Sequence, residues 1–220
     1  VIVIENLCKT YVLRGRHKIV ADGISVTFPA RTSVALLGRN GAGKSSLLRM
    51  IAGTMDPDSG SIRVAGSVSW PVGFAGSFHG DLTGRQNARF IGRVYGVDTD
   101  ELTEYTEDFA ELGQHFDLPV KTYSSGMRSR LAFGVSMGIA FDTYLVDEVT
   151  SVGDAAFKQK SERVFHERMR ESGAIVVSHA MGLVRRICEH GAVLEDGRLT
   201  YYDDVEEAIR HHEAIARQHM

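Results

Sequence analysis

Apolar and polar positions alternate from the start of the chain. VIVIENL (1–7) places apolar side chains at nearly every second residue, and IVADGISVTF (19–28) resumes the pattern after a basic loop, RGRHK (14–18). A period of two is the mark of a strand with one buried face. TSVALLG (32–38) is different: its apolar run is nearly continuous and ends in glycine, as in a parallel strand buried on both faces. KSSLLRMIAG (44–53) then takes helical spacing with Gly53 as its stop. DPDSG (56–60) is a turn cluster, and SIRVAG (61–66) is another strand.

The pattern dissolves in SVSWPVGFAGSFHGDLT (67–83), which is rich in glycine and aromatics. From Arg85 to Phe141 the signals are helical. In ELTEYTEDFAELGQHF (101–116), Leu102, Tyr105, Phe109, Leu112 and Phe116 fall three or four apart and line one face. Strand character returns in TYLVDE (143–148) and AIVVSH (174–179), joined by the helical stretch DAAFKQKSERVFHERMRE. GAVLEDGRLTYY (191–202) holds Asp196-Gly197 between strand-like flanks, a hairpin signal. VEEAIRHHEAIARQH (205–219) reads as a polar helix. Strands alternating with helices predict an α/β fold: a mainly parallel sheet, helix-covered on both faces, with antiparallel strands at the N-terminus. One domain is expected over 1–220, with a core of 1–83 and 141–220 and an inserted helical lobe of 84–140.

Composition narrows the function classes. The 220 residues carry a formal net charge of −3 and no basic run, so nucleic acid is not an expected partner. The apolar stretch LAFGVSMGIAF (131–141) is too short to cross a bilayer, and no signal peptide is read at the start. Work at a membrane would need another chain to do the spanning. Cys8 and Cys188 form no CxxC pair and read as two reduced thiols. The His211-His212 pair reads as solvated, with no metal assigned.

Gly38-Arg39-Asn40-Gly41-Ala42-Gly43-Lys44-Ser45 fits GxxxxGK[ST] and falls between a predicted strand and a predicted helix. Glycines let backbone N–H groups curl around phosphates, and the helix start adds its positive dipole end. Lys44 is expected at the β- and γ-phosphates of a nucleotide, and Ser45 at Mg²⁺, with Ser46 beside it in the first turn. Asp147 follows a buried strand and is the expected second metal ligand. Glu148 stands next, at the carboxyl end of the strand, where open α/β sheets bind ligands; it is the candidate for polarising an attacking water. Kinases, GTPases and motors all use this loop, so these residues leave the class open.

YSSGM (123–127) adds a second phosphate grip: two hydroxyls and a glycine before a predicted helix. The cradle at 38–45, YSSGM at 123–127, YLVDE at 144–148, SVGD at 151–154 and SH at 178–179 together resemble an ATP-binding cassette (ABC) ATPase in order and spacing, over essentially the whole chain. The resemblance implies a head-to-tail dimer of two copies, each closing its signature over ATP held by the other. It implies that Tyr11 stacks on adenine, that Ser125 and Gly126 are the central signature positions, and that Asp154 lies in the loop crossing between subunits. It also implies that His179 is the switch histidine reaching the γ-phosphate.

Two departures stand out. Tyr123 and Met127 replace the family's usual leucine and glutamine of the signature, and the family's glutamine expected near Gly73 or Phe74 is absent; Gln86 comes too late. SWPVGFAGSFHGDLTGRQN, KTYSSGMRSRLAFGVSMG and VDEVTSVGDAAFKQK closely resemble the ATP-binding subunits of capsular polysaccharide exporters, with O-antigen and teichoic acid exporters as kin. That resemblance implies ATP and Mg²⁺ as cofactors and a separate transmembrane permease as partner. The chain would be of the capsule type, which has no appended carbohydrate-binding domain. Trp70, Phe74 and Phe78, four apart in a loop without its own core, are expected to dock on the permease. The rival readings are a soluble ABC ATPase acting on nucleic acid or ribosomes, and a P-loop kinase for a small molecule.

Overall fold

The structure, a computed structural model, describes residues 1–13, 15–73, 76, 78–147 and 155–218. The chain divides into two compact units, the first formed by Val1–Pro71, Phe141–Glu148 and Met169–Met220 and the second by Val72–Ala140 and Val149–Arg168.

The first unit is built on two sheets. β1 (Ile2–Leu13) pairs antiparallel with β2 (Arg16–Phe28) on one side and β4 (Ser59–Val64) on the other. β2 begins at Arg16, so most of the basic stretch expected as a loop is strand; cross-strand pairing with Leu13, Val12 and Tyr11 fixes its backbone. The second sheet has the order β5–β6–β7–β3–β8–β9. Its central strands, β3 (Ser33–Leu37), β6 (Thr143–Asp147) and β7 (Gly173–Val177), run parallel, and β3 and β7 are buried at every position. This is the two-sided burial expected from continuous apolar runs.

β8 (His190–Glu195) pairs parallel with β3 and turns back into β9 (Arg198–Tyr202). Asp196 (φ 45°) and Gly197 (φ 79°) both sit in the left-handed region, as a two-residue hairpin turn requires. β5 (Val68–Pro71) is a strand where no period was legible. It pairs with β6 through a register shift. The fully buried Ser69 hydroxyl bridges the irregularity, accepting from Leu145 N at 2.9 Å and donating to Trp70 O at 2.6 Å. Trp70 is therefore not a free docking aromatic: its ring packs edge-on against Phe141 at 5.6 Å. Phe74 lies outside the described residues, and Phe78 is half-buried.

α7 (Val205–Gln218) is amphipathic rather than polar all round, burying Val205, Ala208, Ile209 and Ile215. It packs on β8, β3 and β9, with Ala208 seated where a side chain at Gly191 would be. Cys188 is buried, and that burial pushes its thiol up to about 12, so it is an inert thiol rather than a nucleophile.

The second unit is helical: α2 (Gly84–Tyr95), α3 (Thr99–Ala110), α4 (Ser125–Gly138) and most of α5 (Ala155–Glu171). α3 ends sooner than its apolar face suggests. Glu111 turns left-handed at φ 52°, and a short 3₁₀ segment, Gly113–Asp117, carries Phe116 into the core. Phe109 is the hub, with Phe133 at 5.6 Å and Phe157 at 5.3 Å between ring centroids. Gly134 and Gly138 of α4 face α3, where a side chain at Gly138 would meet Leu102 at 2.6 Å. The apolar stretch of α4 is thus a helix–helix contact. Among the described residues no helix is long and apolar enough to cross a membrane.

Candidate functional site

The cradle sits where β3 hands over to α1 (Lys44–Ile51). Gly38, Gly41 and Gly43 have φ of 151°, 79° and 111°, a region that side-chain-bearing residues rarely enter. The space is closed to side chains as well. A Cβ at Gly38 would run into the Leu194 carbonyl, and one at Gly43 would stand 2.7 Å from Val20 Cβ. The loop closes on itself through Ala42 N donating to Arg39 O at 3.1 Å. α1 opens on Gly43 without a side-chain cap or an acidic residue in its first turn, so its first N–H groups face outward with no competing carboxylate.

Lys44 is buried, and its ammonium donates to Gly38 O at 2.7 Å and Arg39 O at 3.0 Å. The charge is thus held inside the ring of backbone that forms the cradle. Arg39, Asn40 and Gly41 are exposed at its rim, and Ser45 is exposed in the first turn of α1. Tyr11, on β1, reaches Ser46: the two hydroxyl oxygens are 3.1 Å apart, and the Tyr11 hydroxyl also donates to the Met55 sulfur at 3.1 Å.

Asp147 is half-buried at the carboxyl end of β6, in register with Val177 of β7. His179 is exposed two residues past the end of β7. β7 lies between β6 and β3, so one sheet edge gathers the cradle, Asp147 and His179. The donor set suits a magnesium nucleotide: a hydroxyl, one carboxylate, a lysine and backbone N–H groups, with polyphosphate oxygens left to complete a hard cation's shell. When bound, Mg²⁺ would neutralise phosphate charge, with Ser45 and Asp147 as its protein ligands. Glu148 and Asp154 lie outside the described residues.

Ser124, Ser125 and Gly126 belong to the second unit. Ser124 is the N-cap of α4, its hydroxyl accepting from Met127 N at 3.2 Å. Ser125 is exposed, and among the described residues a Cβ at Gly126 would meet only Ser124 Oγ, at 3.9 Å. The helix tip is therefore open. Tyr123 is explained by packing: it is buried, and its hydroxyl donates to His115 O at 2.6 Å. Gly84 makes room for it, since a Cβ there would stand 2.6 Å from that hydroxyl.

The histidine pair is not solvated as expected. His211 is half-buried, its Nδ1 2.9 Å from the Tyr202 hydroxyl. His212, also half-buried, shares a cavity of about 340 Å³ with Gly38, Arg39, Asn40 and His179. Its Nδ1 is buried and has no hydrogen-bond partner among the described residues. Burial first, then the charges of Lys44 and His179, hold its pKa below the ordinary value. The sequence signal was there: Val205, Ala208, Ile209 and Ile215 fix which face of α7 is inward. Helical spacing then puts residue 212, one turn from 208 and 215, on that face.

A family model for the ABC transporter matches residues 21–151. The chain is 50% identical to the polysialic acid transport ATP-binding protein KpsT of Escherichia coli, across 94% of both chains. It is 41% identical to the capsule polysaccharide export ATP-binding protein CtrD of Neisseria meningitidis serogroup B, over 97% of this chain and 99% of that one. The fold matches a dimeric, post-hydrolysis structure of the ATP-binding cassette MJ0796 bound to ADP and Pi, with a TM-score of 0.75 at 18% identity, over 90% of this chain and 96% of that one. With phosphate loop, sheet order and full-length relatives in agreement, the chain belongs to the ABC transporter family of ATP-binding proteins.

Proposed function

We propose that this chain is the ATP-hydrolysing subunit of an exporter that drives a lipid-linked capsular polysaccharide across the inner membrane through a separate permease. The observation that carries the reading is 50% identity along 94% of both chains to a polysialic acid transport ATP-binding protein. The cradle supplies its chemistry.

In this reading Gly38, Arg39, Asn40, Gly41, Ala42, Gly43, Lys44, Ser45 and Ser46 hold the ATP phosphates, and Tyr11 stacks on adenine. Ser45 and Asp147 hold Mg²⁺. Glu148 orients and polarises the attacking water, and His179 reaches the γ-phosphate. Ser125 and Gly126 close over the ATP of a second copy, with Asp154 at the crossing loop. An open helix tip suits that role, because its hydroxyl and N–H groups find an anion only when another molecule brings one. The subunit works peripherally on the cytoplasmic face. α2 presents Phe90 and Val94, 55% and 62% exposed and one turn apart, as apolar surface for the permease.

The test is Glu148→Gln. ATP binding is expected to persist while phosphate release falls about a thousandfold, equivalent to about 4 kcal/mol of transition-state stabilisation. Purified from membranes in ATP, the variant should bring down a second copy of itself and a multispanning partner. Release of phosphate at the unmutated rate removes Glu148 from its role; recovery without a membrane partner sinks the exporter reading. ADP formation without free phosphate would favour a kinase.

A further inference from the structure

β2 turns one of its faces toward the phosphate loop. The side chain of Val20 lies against Gly43, so close that no Cβ fits there. Two residues earlier, and so on the same face, stands Lys18. Its Nζ lies 3.1 Å from the point a Cβ of Gly41 would occupy. Lys18 is the cross-strand register partner of Tyr11, whose hydroxyl meets Ser46 at the start of α1. Directly opposed residues of an antiparallel pair project to the same side. Tyr11, Lys18 and Val20 are thus one patch of a strand pair laid against Ser46, Gly41 and Gly43.

Among the described residues, nothing holds the charge on Lys18. Other lysines of the chain are held by carboxylates: Lys9 by Asp58 at 2.8 Å and Lys121 by Asp81 at 2.7 Å. Lys44 is held by carbonyls inside the loop. Among the described residues Lys18 makes no hydrogen bond or ion pair, although it lines a cavity of about 490 Å³ that also holds Glu195 and Asp196 on its β8–β9 wall. Gly38, Asn40 and Gly41, at the rim of the cradle, line the same cavity. A cation that does not pair with the two carboxylates of its own cavity and instead overhangs a loop built for phosphate is placed to meet an anion arriving there.

We propose that Lys18 is a second phosphate-binding ammonium of this site, reaching the polyphosphate of the bound nucleotide from the Tyr11 side of the loop. The inference rests on the reading that the loop holds ATP. Lys44 acts from within the loop and Lys18 from above its rim, so the pair neutralise different phosphate oxygens. Because Lys18 is exposed, its contribution is screened by salt far more than that of buried Lys44.

The experiment is isothermal titration of Mg-ATP, and separately of adenosine, into the full chain and into Lys18→Gln and Lys18→Arg, at low and at high sodium chloride. Lys18→Gln is expected to weaken Mg-ATP about tenfold at low salt. It should also flatten the salt dependence of the dissociation constant and leave adenosine binding within about twofold. Lys18→Arg should restore both the affinity and the salt slope. Melting of the nucleotide-free variants at the unmutated temperature excludes a folding defect as the cause. An unchanged affinity and salt slope in Lys18→Gln, with ATP still bound by the unmutated chain, overturns the proposal alone. An unmutated chain that binds no ATP overturns the phosphate reading, and this one with it.

Discussion

The two proposed phosphate grips of the chain are built in opposite ways. The cradle at 38–45 is crowded. Its glycines adopt conformations that exclude side chains, Leu194 and Val20 fill the space behind them, and its lysine is tied to its own carbonyls. The tip of α4 is open: one serine caps the helix, the next is exposed, and among the described residues only Ser124 comes within reach of a Cβ at Gly126. A crowded grip is shaped by its own fold before any ligand arrives. An open one has directed N–H groups but no walls, and becomes a site when something else supplies them. Glycine thus does two jobs in one protein. At 38 and 43 it is there because nothing else fits; at 126 the proposed role needs room for the phosphate of a second copy.

Alanine scanning of the glycines can break that comparison. Gly43→Ala forces a left-handed backbone on a residue with a Cβ, costing about 1–2 kcal/mol, and overpacks Val20 by about 1–3 kcal/mol. The expected outcome is a loss of ATP affinity of about a hundredfold, with a lower melting temperature. Unchanged ATP affinity in a calorimetric titration would mean that the cradle is looser than its geometry implies.

Gly126→Ala should behave in the reverse manner. Ala has space there and is the better helix former, so the melting temperature should hold or rise, by up to about 1 kcal/mol of stability. ATP binding to the isolated chain should stay within about twofold, while hydrolysis falls at least about tenfold because the partner's phosphate can no longer approach the helix tip. Full turnover would return Gly126 to an ordinary helix position.

The smallest effect concerns His212, which borders the crowded grip. Its ring is kept neutral by burial and by the nearby charges of Lys44 and His179, with His211 acting the same way and Glu213 opposing. The folded pKa is below the unfolded one. The ring's contribution to stability is therefore complete above the ordinary value of about 6.5. As pH falls below that value, stability is lost, because the unfolded chain takes up a proton that the folded chain refuses. His212→Asn cannot titrate. Its melting temperature should fall less than that of the unmutated chain on acidification from neutral pH to about 5.5. Parallel curves would show that the ring is not held neutral.

Much of this was legible in the residues because its causes are local. A GxxxxGKS between an apolar strand and a helix, Asp-Gly between strands, and hydroxyls ahead of YSSGM's helix each specify their geometry within a few residues. ELTEYTEDFAELGQHF misled because its spacing stays helical past Ala110, while a left-handed Glu111 breaks the helix; the apolar face outlasts the helix that began it. β5 was illegible because its evidence is remote: its hydrogen-bond partner is β6, some seventy-five residues on, and Ser69 repairs the pairing that the shifted register leaves incomplete. Trp70 read as a docking aromatic for the same reason, since Phe141 is far away in sequence and only 5.6 Å away in space.

The sequence alone determined the class of chemistry: a loop that admits only glycine, followed by lysine and serine, has few uses besides phosphate, and that requirement is written in adjacent residues. The tertiary structure alone decided what surrounds that loop. Lys18 reaches Gly41, and His212 stands beside Arg39 and Asn40, because strand pairing and the packing of α7 bring together residues far apart in the chain. Such neighbours follow from register and burial across the whole fold, and no short stretch of residues encodes them.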